Sequence, residues 1–519
     1  MNKPVLFLCL VWLCACGGKT TEEVIEPPVS IQNPIIRGEF PDPSVIRVDG
    51  TYYACGTSND WAPIYPIYSS TDLENWQFES YVFMEAPDWT MGSFWAPELF
   101  YRDGKFFCYY TARRKDGVSC IGVASTTDIG KGFTDHGELI EWGSESIDAY
   151  VFDQNGQLYI TWKAYGLDPE RPIQLLGAKL SADGLQLEGD AFTVVTAETD
   201  TWERGGIEGQ SIVQQGEYLY LLYSGAACCG GGCDYKVGVA RAKQMEGPWE
   251  KYTGNPILTD FGDWKCPGHG TPVSTGQDEW YYLYHAYATE GFPYMGRSAL
   301  LSPFYWDEKS GWPYFKTVDL MADSTGGVAP LSIDDNFDGD QLEGWWRWDL
   351  ASNQPSTRVD DGQMQLSGSL KQEAWATALC VVPEKPAYQV VAELPNEGDH
   401  LKGLMLYGTH ANMLGIGLKE GRLQVFELRN GEYSPLGEAV AVETESVSLR
   451  GQVEQGHLVR FAYRTKGGEW KALSPAKTEN SPLNGAFLEF WQWGVKPGLF
   501  VEGDGKGTFS RFELEYDGW

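Results

Sequence analysis

Five times the chain passes through a short apolar strand, a polar turn and a strand crowded with aromatic residues. A repeated unit of that kind buries its apolar faces only by packing against its neighbours. The first copy lies in Asn33–Tyr53, NPIIRGEFPDPSVIRVDGTYY, where Asp42 stands between two prolines, Ser44–Val48 is an apolar run, Asp49-Gly50 is a turn and Thr51–Ala54 is the returning strand. This is hairpin grammar. It recurs around DGKFFCYYTA at Asp103, NGQLYITWKA at Asn155, GEYLYLLYSG at Gly216 and DEWYYLYHAY at Asp278. The copies start about fifty to sixty residues apart, the spacing of a four-stranded blade. After each aromatic strand comes another short strand, as in Lys236–Arg241, and then a turn marked by Gly, Pro, Asp or Asn. The pattern predicts a five-bladed β-propeller over residues 31–322.

Residues 323–332, DSTGGVAPLS, turn small and flexible and read as a linker. From 333 to 519 the aromatic repeat is gone, and alternating stretches such as Tyr388–Glu393, Gly403–Leu406, Arg422–Glu427 and Leu488–Trp493 predict a second all-β domain, a β-sandwich. At the other end, residues 4–15, PVLFLCLVWLCA, follow Lys3 and are too short for a permanent span, so residues 1–15 read as a signal peptide. Leu13-Cys14-Ala15-Cys16-Gly17 resembles a bacterial lipobox, which makes Cys16 the expected lipidated residue, with residues 16–30 as a tether. The location that follows is the bacterial cell envelope, facing the periplasm or the exterior.

A formal net charge of −33 argues against a nucleic-acid partner, since no basic surface would neutralise phosphates. An anionic membrane face is disfavoured too, except through the lipid. The 21 tryptophans add flat faces on which sugar rings can stack, although most aromatic residues build the blades. Cysteines form no regular CxxC pairs, which argues against structural zinc. Cys228, Cys229 and Cys233, with Cys266, are candidates for disulfides in an oxidising compartment, the pairing being open.

The innermost strand of each blade lines the propeller axis. Counting back eight residues from the turn glycine gives Asp42 from Gly50, Asp148 from Gly156 and Glu208 from Gly216; the same count gives Ala96 in the second blade, and the analogous position in the fifth lies near Thr271. Asp42 by itself is equally a Pro-Asp-Pro turn. Three acids converging on one axis are another matter, because burial and mutual repulsion spread their pKa values in the way acid–base hydrolysis needs. One carboxylic acid can protonate a glycosidic oxygen while a second activates water about 6.5–9.5 Å away, and a third can tune the donor.

The ordered series NPIIRGEFPDPSVIRVDGTYY, SFWAPELFY, SIDAYVFDQNGQLYITW, IEGQSI with GEYLYLLYSG, CPGHGTPV and GRSALLSP resembles glycoside hydrolase family 43 over about residues 31–320. The resemblance implies an inverting mechanism with Asp42 as general base, Asp148 as the acid that tunes and orients the donor, and Glu208 as general acid. It further implies Trp95 and Arg297 near the bound sugar, and His269 at the cavity floor, where some members hold a calcium ion or water; the chemistry itself needs no cofactor. DDNFDGDQLEGWWRW, GLMLYGTHANMLGIGL and PGLFVEGDGKGTFSRFELEY are similar to the concanavalin-A-like domain attached to β-xylosidases of that family. The expected activity is exo-hydrolysis of pentose units, α-L-arabinofuranosyl or β-D-xylosyl, from plant-type glycans. The rival readings are an endo-arabinanase, an exo-galactanase and a non-catalytic surface glycan-binding lipoprotein.

Overall fold

The computed structural model describes residues 31–516 apart from 168, 277–278, 322–329, 372–373 and 474–480. The proposed signal peptide, Cys16, the tether, most of the linker and the turn at Asp278 lie outside the described residues.

Five four-stranded groups follow one another. Their innermost strands are Ser44–Val48, Thr90–Arg102, Glu145–Gln154, Ile207–Gln215 and Trp264–Ser274. Each of these pairs antiparallel with the aromatic strand that follows it: Thr51–Cys55, Lys105–Arg114, Gln157–Tyr165, Tyr218–Gly225 and Trp280–Ala288. The second and third blades are joined into one sheet by a parallel pairing of Glu145 with Ser119. Apolar clusters fill the spaces between neighbouring blades, for example Tyr110, Phe94 and Ile67 between the first and second. The fifth blade returns to the first through the chain start: Ile35 N–H donates to the Ala299 carbonyl at 3.0 Å and Phe40 N–H to the Arg297 carbonyl at 2.8 Å. Asn33 adds a side-chain pair to Leu301. The sequence NPIIRGEF is thus the clasp that closes the ring on GRSALL.

The second domain is a sandwich. One sheet contains Ile333–Asp335, Arg511–Glu515, Tyr388–Pro395, Ser446–Glu454 and Leu458–Thr465; the other contains Ala376–Cys380, Lys496–Glu502, Lys402–Thr409, Asn412–Lys419, Arg422–Arg429 and Glu432–Ala441. Alternation along Lys402–Thr409 divides its residues between two environments. Leu404 and Leu406 enter the sandwich core, while Met405 and Tyr407 join Trp61, Phe426, Trp493 and Phe500 in a second cluster against the propeller. Trp348–Asp349 pairs as a short strand with Trp61–Ala62 of the propeller. Lys496 Nζ lies 2.8 Å from Glu39 Oε2, a buried ion pair that joins the two domains, and Gly494 N–H donates to the other Glu39 oxygen at 3.1 Å.

The segment expected as the strand Leu488–Trp493 is instead a 3-10 turn, Ala486–Leu488, followed by an irregular loop. Its apolar residues are spent on the domain contact: Trp493 and Phe490 pack around Trp61, and the Gln492 carbonyl accepts from Asn59 Nδ2 at 3.2 Å.

Candidate active site

The site is built by one backbone irregularity used five times. Where the innermost strand pairs with the aromatic strand, two residues face one: 96 and 97, 148 and 149, 209 and 210, and 269 and 270 are bulged in blades two to five. In the first blade Asp42 and Pro43 occupy the matching place, between the pairing of Thr57 N–H with the Pro41 carbonyl and that of Ser44 with Cys55. The first residue of every bulge is left-handed: Asp42 (φ 52°), Ala96 (41°), Asp148 (60°), Gly209 (58°) and His269 (44°). A bulge bends its strand and re-aims the side chain it carries. Asp, His and Gly are among the residues that accept this conformation most readily.

This register corrects the count from the turn glycine. Gly209, not Glu208, is the equivalent of Asp42 and Asp148, and His269, not Thr271, is the fifth member. Glu208 stands one residue earlier and pairs with Ser224, as Trp95 pairs with Thr111.

The exposed N–H of each bulge is capped across the blade boundary by a side chain of the preceding aromatic strand. Ala96 N–H donates to Thr57 Oγ1 at 2.7 Å, Asp148 N–H to Thr111 Oγ1 at 3.1 Å, His269 N–H to Ser224 Oγ at 2.8 Å and Asp42 N–H to His285 Nδ1 at 3.1 Å. The position in the third blade is Lys163, which has no lone pair to offer. Gly209 N–H therefore donates to Asp148 Oδ2 at 3.0 Å, and Lys163 Nζ turns to Glu208 Oε2 at 2.7 Å. Tyr235 Oη donates to the other Glu208 oxygen at 3.0 Å.

The acids are thereby gathered under different fields. Arg297 Nη1 lies 2.8 Å from Asp42 Oδ1, and His269 Nδ1 lies 3.5 Å from Asp42 Oδ1 and 3.7 Å from Asp148 Oδ2. Burial presses the Asp42 carboxyl upward, but the Arg297 guanidinium outweighs it and holds it far below the usual range. Asp148 lacks such a cation, and burial, with Glu208 adding to it, pushes it up to about 6 against the opposing pull of His269. Glu208 is also pressed upward by burial, yet Lys163 leaves it below its ordinary value. His285 is driven down to about 4 by burial and by Arg297, so it is neutral, with Nδ1 accepting from Asp42 N–H and the proton on Nε2. Side-chain exposure is 9% for Asp42, 6% for Asp148 and 18% for Glu208, so Glu208 is the most open of the three.

Five of the six residues expected to act on the sugar, namely Asp42, Asp148, Glu208, His269 and Arg297, are in direct contact or one residue removed. Trp95 stands one residue before the Ala96 bulge, with Arg113 over its ring at 5.7 Å and the ring of Trp491, from the sandwich domain, 6.3 Å away. Lys163, Tyr235 and His285 escaped the sequence reading. Lys163 carried a signal, a charge inside the apolar alternation of LYITWKA; the other two sit among aromatic residues that look like core. Beside the site, disulfides join Cys228 to Cys229 and Cys233 to Cys266.

A ring of blades whose bulges carry acids to a common axis, backed by a concanavalin-like sandwich, defines a class of carbohydrate-active proteins. Residues 31–313 match the glycosyl hydrolases family 43, and this chain belongs to that family. Residues 334–515 match the β-xylosidase C-terminal concanavalin A-like domain. A β-xylosidase of Bacillus subtilis (strain 168) is 30% identical over 315 residues, which is 55% of this chain and 57% of that protein. An extracellular endo-α-(1→5)-L-arabinanase of the same organism is 27% identical over 303 residues, 53% of this chain and 87% of its own length. The chain spans little more than half the length of the β-xylosidase relatives it matches. Among solved structures, the xylan β-1,4-xylosidase of Bacillus halodurans C-125 superposes with a TM-score of 0.79 over 93% of this chain and 100% of that one, at 20% identity, a likeness of fold.

Proposed function

We propose that the protein is an exo-acting glycoside hydrolase that releases pentose units, α-L-arabinofuranosyl or β-D-xylosyl, from plant-type polysaccharides or oligosaccharides with inversion. The observation that carries this reading is that Asp42 and Asp148 lie 3.5 Å and 3.7 Å from His269 Nδ1 while Asp148 accepts from Gly209 beside Glu208, so three acids are neighbours, each under a different field. Asp42, kept ionised by Arg297, takes a proton from the attacking water. Glu208, with the most open carboxyl, gives a proton to the leaving oxygen, and Asp148 holds the donor in line through the N–H of Gly209, the residue that follows Glu208. The water oxygen bonds to the anomeric carbon as the bond to the leaving oxygen breaks on the opposite face, so configuration inverts without a covalent intermediate.

Exo action is supported by the wall that the sandwich domain adds. Gly231 N–H donates to Glu489 Oε1 at 3.0 Å and Trp491 stands beside Trp95, one residue before the Ala96 bulge, so the 489–493 loop meets the propeller at two places. The xylosidase and arabinanase names of the relatives agree with a pentose substrate. A calcium ion near His269 finds no group of three His, Cys, Asp or Glu placed to hold a metal among the described residues, and no step here runs through one. Cys16 is proposed as a lipid attachment that carries the enzyme on the cell envelope.

The test is direct. Asp42→Asn and Glu208→Gln should each remove cleavage of nitrophenyl pentosides, by a factor of about 10² or more, with unfolding curves unchanged in cooperativity. Near-wild-type rates in either variant refute the assignment, and proton NMR of the first-formed anomer tests inversion. Single pentoses from linear arabinan or xylo-oligosaccharides support exo action; a ladder of longer products supports the endo-arabinanase reading instead.

A further inference from the structure

Glu98, in the SFWAPELFY motif, has no part in the chemistry just described, yet it is buried on the propeller axis, 6% exposed. Ser44 Oγ donates to its Oε2 at 2.7 Å and in turn accepts from Leu99 N–H at 3.0 Å. Val151 N–H also bonds to the carboxyl. The acid therefore ties the strand two residues beyond Asp42 to the strand three residues beyond Asp148.

Beside Glu98 is a small cavity to which all five innermost strands contribute, through Asp42, Glu98, Tyr150, Gln210, His269 and Thr271. Its volume is about 10 Å³, room for a single water. Gln210, 3% exposed, lines it. Its Nε2 donates to the Asp148 carbonyl and, at 3.3 Å, to Thr161 Oγ1. Because a carbonyl only accepts, the amide orientation is fixed and Oε1 is the atom left over. That buried Oε1 has no partner among the described residues. An enclosed acceptor without a donor loses its hydration with nothing in return.

We propose that this cavity binds one water that bridges Glu98 to Gln210 Oε1, and that through this bridge Glu98 is a positioning residue for Asp42 and Asp148. The proposal deepens the reading of those two as reacting acids and rests on it. Burial pushes the Glu98 carboxyl up to about 8, so at neutral pH it has an O–H to donate. The O–H donates to the water, and the water donates to Gln210, whose amide holds the Asp148 backbone. On the other side, Ser44 holds the strand that follows Asp42. Above about pH 8 the donor is lost and a charge appears beside two carboxylates, which predicts an alkaline fall in activity. The titratable groups around Glu98 are Asp42 and His269 in the cavity, Asp148 across Gln210, and Tyr109 and Tyr150, which feel its charge. All five are shared by wild type and a Glu98 variant, so the difference between their pH profiles isolates Glu98.

Glu98→Gln keeps both a donor and an acceptor but cannot ionise. It should retain kcat within about threefold at pH 7 and lose the alkaline fall near pH 8. Glu98→Ala should lose kcat by a factor of ten or more with KM little changed. A Glu98→Gln enzyme as impaired as Glu98→Ala, or one that keeps the wild-type fall near pH 8, overturns the proposal. So does a high-resolution crystal structure of the wild-type enzyme with no density between Glu98 and Gln210. Asp42→Asn measured alongside separates the outcomes: if it retains wild-type rates, it is the functional reading that has failed and not the water bridge.

Discussion

Lys163→Met changes one charge and makes a signed, sizeable prediction. The Lys163 ammonium lies 2.7 Å from Glu208 Oε2, both groups are largely enclosed, and the pairing lowers the pKa of the residue proposed to carry the proton to the leaving oxygen. Two unit charges about 4 Å apart at an effective dielectric of about 20 interact by about 4 kcal/mol, equivalent to about 3 pH units. Relaxation and entering water reduce this, so the expected shift is about one to three units. The direction is fixed: removing a cation destabilises the ionised form, Glu208 keeps its proton to higher pH, and the alkaline limb of kcat/KM moves upward. That limb is the one Glu208 and Asp148 set as a coupled pair, Asp148 being raised to about 6, and it lies below the separate fall near pH 8 that Glu98 sets, so the shift is read on the profile as a whole. The assay is kcat/KM against pH on an unactivated pentosyl disaccharide, whose departure needs the proton, beside a nitrophenyl pentoside, whose departure needs it less. The disaccharide limb should move and the nitrophenyl rate should respond weakly. A disaccharide limb that stays put, or moves to lower pH, refutes the assignment of Glu208 as donor.

Two predictions concern stability. Lys496→Met leaves Glu39 buried with only the Gly494 N–H, and losing one partner of a buried pair costs about 3–5 kcal/mol; adding Glu39→Gln should recover most of the loss in thermal unfolding, and equal losses in single and double variants would mean the pair does not couple. Asp148 has its folded pKa raised from 3.8 to about 6, so its contribution to stability is fully present below about pH 4 and is lost as pH rises through 6. Asp148→Asn should therefore raise Tm at pH 7–8, by up to about 3 kcal/mol of stability, and leave it unchanged at pH 4; no gain at the higher pH contradicts the burial argument.

The propeller was legible because each blade repeats its own punctuation, with a turn after an apolar run and aromatic alternation after the turn. Asp42 and Asp148 were found by counting from that turn, and the count holds because the first three hairpins share one turn geometry. In the fourth and fifth it slips by one or two residues, so it reached Glu208 where the bulged residue is Gly209 and missed His269, which only the resemblance supplied. Glu208 still reaches the pocket, since the bulge follows it directly. The left-handed bulges leave little trace in composition. Lys163, His285 and Thr111 act on residues of the next blade, across a boundary that a hairpin pattern does not describe. The disulfide partners were open for the same reason, since connectivity depends on which loops meet. The apolar 488–493 segment looked like a strand because packing against a second domain and packing within a sheet ask for similar residues.

The left-handed residue at the head of each blade bears on how such proteins are altered. Aim is supplied there by the main chain, so the five positions behave as interchangeable sockets whose contents decide the chemistry. Asparagine tolerates the required dihedrals about as well as aspartate, whereas alanine adds a backbone penalty to the loss of charge, and an alanine scan of these sites would confuse the two. Ala96 already bears that penalty without offering a functional group. Gly209 is equally empty, but a Cβ there would meet the His269 ring, so Ala96 is the socket where a new acid, amide or imidazole would arrive pre-pointed at the axis without displacing a resident one.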